Sequence, residues 1–123
     1  MNAKKVREMG EPVLQTLSHL QRCSPTSDDL FLSVKLFGIR LLKFLEACST
    51  RHRDFLDEGR QNSVLSQADT VKKLAPYLIQ SLRDALQRPA NVHLRDCKDF
   101  FFNSARKSVE SLIQTFEQVR VRS

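Results

Sequence analysis

The sequence predicts an all-α chain folded as an antiparallel up-down four-helix bundle. Apolar residues recur at three- and four-residue spacing along nearly the whole length, strand-like alternation appears nowhere, and the breaks between periodic stretches are short. At 123 residues, 41% of them hydrophobic and 28% charged, the chain forms one domain with enough apolar side chains for a core that needs no metal or disulfide.

The first helix, over 4–22, is read from Val6, Val13, Leu14, Leu17 and Leu20 and stops at the turn-rich run Cys23-Ser24-Pro25-Thr26-Ser27. Gly10 and Pro12 lie inside it. Proline removes a backbone donor and clashes with the preceding turn, so the regular helix is expected to begin only near Pro12. The second helix, over 28–58, opens on Ser27 as N-cap, with Asp28 and Asp29 suited to the positive end of the helix dipole. Its inward line is Leu30, Val34, Phe37, Leu41, Leu45, Cys48, His52 and Phe55, and Gly59 is read as its C-cap. A helix of about 30 residues is natural for a bundle.

The third helix, over 61–88, follows Val64, Ala68, Val71, Leu74, Ala75, Leu78, Leu82 and Ala85 to the break at Arg88-Pro89-Ala90, and Pro76 is expected to kink it. The fourth, over 92–120, follows Leu94, Cys97, Phe101, Ala105, Ser108, Leu112, Phe116 and Val119, with Asn91 as its cap. Short links force neighbouring helices to run antiparallel, at angles near roughly 20°.

Three features bound the function class. Cys23, Cys48 and Cys97 are odd in number, far apart and without CxxC spacing, which indicates neither a disulfide framework nor a zinc site and fits a reducing compartment. No apolar run approaches the length of a signal peptide core or a membrane span, so a cytoplasmic protein is expected. The net charge of +6 raises a basic module for nucleic acid or anionic membrane as an alternative, but the basic residues come in twos and threes mixed with acids and not in one block.

No catalytic set is legible. His19, His52 and His93 fall in different helices without ligand-spaced neighbours, and the glycines at 10, 38 and 59 are isolated, which excludes a phosphate loop. His52 lies on the inward line of helix two, where a histidine bonded to a neighbour is the simpler reading. The expectation is a non-enzymatic protein with no cofactor and no metal.

The informative residues are apolar ones outside the core line. Leu32, Leu36 and Ile39 recur at i, i+4, i+7 on the far side of helix two and form a second apolar face. Cover by long stems such as Lys43 is the plainer alternative. A contact surface for a neighbouring domain, a second copy or a partner helix is favoured, because three aligned aliphatic residues make a patch and not scatter. The run Phe100-Phe101-Phe102 is the other oddity. If Phe101 points inward, the flanking rings sit at its edges, and Phe102 lies on the outer side beside Arg95 and Arg106, a combination that interfaces favour. The alternative, in which both flanking rings wedge against helices one and three, stays open.

Four segments carry a resemblance: Arg51 to Glu58 (RHRDFLDE), Thr70 to Ser81 (TVKKLAPYLIQS), Leu86 to Pro89 (LQRP) and Arg95 to Phe100 (RDCKDF). Together they resemble the vinculin/α-catenin superfamily, specifically the second four-helix bundle of its N-terminal head region, over about Val6 to Val119. Pro76 matches the mid-helix proline of that bundle's kinked third helix. The resemblance implies one bundle or fragment of a larger cytoskeletal adaptor at cell-adhesion sites, with talin-like or β-catenin-like helices, a neighbouring bundle or a second copy as partner. It does not extend to the bundle that accepts those helices most directly or to the actin-binding bundle, so direct actin binding is not expected. Gly10-Glu11-Pro12 stands where the family runs one long helix between head bundles, and no individual binding residue is carried over.

Overall fold

A computed structural model of the chain describes residues 2–23, 30–51 and 57–122, with side chains described between residues 4 and 118 of these. The described residues hold four helices and no strand: α1 Asn2–Gln21, α2 Leu30–Arg51, α3 Glu58–Gln87 and α4 Val92–Arg122. The cap expected at Ser27 with Asp28 and Asp29, and the inward positions His52 and Phe55, lie outside the described residues.

α1 runs unbroken through Gly10 and Pro12, where the sequence led us to expect that regular helix begins only near Pro12. Tertiary contacts outweigh the lost backbone bond. Val6, two turns before Pro12, is fully buried, and Arg7 is held by Glu117 near the end of α4, Nη2 to Oε1 at 2.7 Å, with Nε on the other carboxylate oxygen. Glu117, and then Glu11, stabilise the charged guanidinium and push its pKa further up. Gly10 itself is buried. A Cβ there would meet Ile113 Cδ1 at 2.6 Å and Phe44 Cε1 at 2.9 Å, so glycine at this position lets α1 pack closely against side chains of α2 and α4.

α3 begins earlier than the sequence suggests. Asp57 is its N-cap, with Oδ1 accepting from the Gly59 N–H at 2.9 Å, and the carbonyl of Asp57 accepts from Gln61 at 3.1 Å. Gly59 therefore lies in the first turn of α3 and does not terminate the helix before it. The reason is chemical: the Asp57-Glu58 pair supplies both an acceptor for free N–H groups and negative charge at a positive helix end. The helix then passes through Pro76 as one element and closes with the Arg88 N–H on the Asp84 carbonyl. At α4 the expected cap is present, since Asn91 Oδ1 accepts from the Leu94 N–H at 3.2 Å.

The core draws on every helix. α1 contributes Val6, Val13, Leu17 and Leu20, and α2 contributes Phe37, Leu41, Phe44 and Cys48. α3 adds Val64, Val71, Leu78 and Leu82, and α4 adds Phe102, Ala105, Val109, Leu112, Ile113 and Phe116. At the centre, between Val13, Phe37, Val71 and Val109, a void of only about 10 Å³ remains, no more than a single water would occupy. The inward lines of α1 and α3 follow the sequence reading. α4 does not: Phe102 is fully buried while Cys97 is exposed. Phe102 shares a stripe with Ala105, Val109, Ile113 and Phe116 at i+3, i+7, i+11 and i+14, a longer apolar line than the one through Phe101 and Ser108.

α1 packs on α2 and α4, and α3 packs on α4; of the four neighbouring pairs α2 and α3 touch least. Polar ties lock α1 to its neighbours. Arg40 Nη1 donates to Thr16 Oγ1 at 2.6 Å from α2. At the end of α1, Lys98 Nζ donates to the Gln21 carbonyl at 3.2 Å, and Gln21 Nε2 donates to Asp99 Oδ1 at 3.1 Å. A lysine on a terminal carbonyl satisfies a group the helix cannot pair itself.

Burial pushes the Cys48 thiol up to about 12. The unfolded thiol titrates near roughly 8.5, so the native state holds a proton that the unfolded state releases between those values. The stability this contributes is complete below about pH 8.5 and is lost as pH rises toward 12, by up to about 1.4 kcal/mol per pH unit. Unfolding free energies measured from pH 8 to 10 should fall more steeply for the native chain than for Cys48→Ala. Equal slopes would show that Cys48 is not sequestered. A maleimide reagent should label exposed Cys97 at once and Cys48 only at the rate of unfolding.

Candidate protein-interaction surface

α2 is apolar on two sides. Its core line, Phe37, Leu41, Phe44 and Cys48, is buried, and five large apolar side chains leave the opposite side exposed. Phe31 is 83% exposed, Leu32 and Leu42 each 66%, Ile39 45% and Leu36 39%. At 3.6 residues per turn they cross the outer side in the order Phe31, Leu42, Ile39, Leu32, Leu36, over an arc of roughly 140°. Lys35, Lys43 and Glu46 stand among them. A helix that carries a second apolar face is one that expects cover.

Leu32, Leu36 and Ile39 thus lie where their spacing placed them. Leu42, at i+3 from Ile39, extends the same face and was overlooked, although that spacing was available in the sequence. Phe31 was missed as well, because it stands at the helix start and on the flank nearer α3.

Two grooves border this ridge. Toward α1, a groove of about 400 Å³ is lined by Gln15, Thr16, His19, Leu32, Ser33, Leu36 and Arg40. Its polar side chains are braced, since Arg40 bonds Thr16 and Thr16 Oγ1 donates to the Pro12 carbonyl at 2.7 Å. Toward α3, a groove of about 410 Å³ is lined by Leu30, Phe31, Val34, Ile79, Leu82, Arg83, Leu86 and Gln87. Six of those eight side chains are apolar, which makes it the more hydrophobic of the two.

The second predicted site is not assembled. Phe102 has no accessible surface, so it is a core residue and offers nothing to a partner. Arg106 leans onto α1, with Nη2 donating to Gln21 Oε1 at 3.0 Å and to Ser18 Oγ at 3.4 Å, and Nη1 donating to Asn103 Oδ1. It braces two helices and does not frame an outward aromatic. Arg95 is exposed. The ring that faces solvent is Phe100, edge-on to Phe101 with centroids 5.5 Å apart. Phe101 in turn stacks on Tyr77 of α3 at 6.0 Å. These rings tie α3 to α4 and leave Phe100 and Tyr77 accessible.

Among the described residues no three His, Cys, Asp or Glu side chains gather as a metal would require, and no helix is long and apolar enough to cross a membrane. Comparison of the chain with protein families, curated proteins and solved structures gives no match.

Proposed function

We propose that this chain is a non-enzymatic protein-interaction module, an antiparallel up-down four-helix bundle that associates through the outer face of α2. The antiparallel arrangement is supported by pairings of opposite ends: Arg7 with Glu117 and Gln21 with Asp99 between α1 and α4, and the start of α2 with the end of α3 around the shared groove. One observation carries the functional reading. Leu32, Leu36, Ile39 and Leu42 stand exposed together on a helix whose other face already fills the core. Each is 39–66% exposed, so covering what remains open would contribute roughly 0.6–2 kcal/mol per side chain before ordering costs.

The resemblance to the vinculin/α-catenin superfamily refines this proposal to an adaptor at cell adhesions, with a partner helix of talin or β-catenin type, a neighbouring bundle or a second copy on that face. That refinement rests only on the resemblance of the four segments Arg51 to Glu58, Thr70 to Ser81, Leu86 to Pro89 and Arg95 to Phe100.

Light-scattering mass after size exclusion, at low and high salt, tests the reading against the basic-module alternative. Association through apolar faces changes little with salt, whereas binding to a DNA duplex through phosphates weakens steeply as salt rises. Leu36→Glu should abolish association while helicity by circular dichroism stays intact. Normal association by that variant places the interface elsewhere, and a mass shift seen only with DNA at low salt overturns the proposal.

A further inference from the structure

The groove between α2 and α3 lies on the other flank of α2 from Leu36, and one glycine in its line lacks an internal explanation. Gly38 is in the middle of a helix, has no positive φ, and a Cβ built on it would meet nothing within 4 Å. Neither backbone conformation nor neighbour packing requires it, in contrast to Gly10, which Ile113 and Phe44 crowd. Mid-helix glycine weakens a helix relative to alanine. Phe31 and Val34, at i−7 and i−4 from Gly38, both line the groove, so Gly38 continues that line by one turn as a notch.

The rim is basic. Arg83 lines the groove, Lys35 follows Phe31 by one turn, and Lys72 precedes Ile79 by two turns along α3. None of the three makes an ion pair among the described residues, whereas the adjacent Lys73 is held by Asp69 at 2.9 Å. Glu46, the acid on the exposed side of α2, stands about 16 Å along the helix from Lys35.

We infer that this groove is a second binding site, which takes an amphipathic helix with acidic flanks from a partner protein and lets that helix approach the α2 backbone at Gly38. The concave apolar floor between two helices that touch little fits a cylinder. Glycine at the crossing admits a close backbone approach, and the acidic flanks meet Lys35, Lys72 and Arg83. A second copy docked through the same face would set those cations against their own equivalents across a two-fold axis, and a flat bilayer does not reach into a notch.

The test is to pan a display library of amphipathic helices of about 18 residues, five turns, with randomised flanking charge, against the full chain. Enriched helices should carry Asp and Glu beside the apolar stripe. Gly38→Leu should weaken the enriched helix at least about 10-fold, equivalent to about 1.4 kcal/mol, with unchanged helicity and mass. The double variant Lys35→Glu/Arg83→Glu should reverse the preference to Lys-flanked helices, and Leu36→Glu should leave binding unchanged. Enrichment without acidic bias, indifference to both groove variants, or no enrichment at all overturns the inference. So does a groove variant that loses binding to phosphatidylserine vesicles while no helix is enriched. Loss of helix binding on Leu36→Glu alone also overturns it, but leaves the outer face of α2 standing as the interaction surface.

Discussion

Replacing Phe102 by alanine is expected to destabilise the fold by about 3–5 kcal/mol, the range for truncating a large buried aromatic. Phe102 is fully buried beside Val109 and the rest of the α4 core stripe, and the bundle centre has almost no void into which neighbours relax. Phe100→Ala, two residues away, removes a ring that is 65% exposed and contacts Phe101 edge-on. It should cost under about 1 kcal/mol. Urea unfolding of the two variants reads this contrast directly, as a large drop in midpoint for one and a small one for the other. Equal losses would mean that α4 is rotated from the position described, with Phe101 as its inward ring.

Gly10→Leu is expected to cost about 3 kcal/mol or more, at or above the upper part of the usual range for overpacking. The first carbon of any side chain there would already stand 2.6 Å from Ile113 and 2.9 Å from Phe44, both buried. Gly10→Ala sets the same contact against a gain in helix propensity of about 1 kcal/mol, so its net effect is smaller than that of leucine. Gly38→Ala has the opposite sign. With open space around the new methyl and an ordinary helical φ, it should stabilise by about 0.5–1 kcal/mol. Thermal unfolding of the two substitutions separates a glycine needed for contact from one that the fold itself does not use. A tolerated Gly10→Leu would show that α1 does not pack against Phe44 and Ile113.

The candidate surface was legible only in part. Leu32, Leu36 and Ile39 are exposed as their spacing indicated, because a helix that carries apolar residues on both sides reveals its second face in its own periodicity. Arg106 and Phe102 were misplaced for one shared reason. The run Phe100-Phe101-Phe102 offers three apolar residues 100° apart, and Ala105 fits an inward line through either Phe101 or Phe102. Extending the line to Val109, Ile113 and Phe116 selects Phe102, and once that ring turns in, Arg106 comes to lie over α1, within reach of Ser18 and Gln21. The groove toward α3 had no sequence signature at all, since its walls belong to helices separated by dozens of residues.

What the sequence by itself determined is what local interactions encode: that the described periodic stretches are helical, where α4 starts on its asparagine cap, and which lines of α1 and α3 turn inward. The tertiary structure alone decided that α1 continues through Pro12, that Gly10 is a contact and Gly38 a gap, that Phe102 belongs to the core, and that α2 and α3 leave an apolar groove between them. Helix formation and capping depend on residues within a turn of one another, so spacing records them. The direction in which a side chain finally points depends on what a distant helix presents to it, and burial against that helix outweighs a proline's missing hydrogen bond or a glycine's weak propensity.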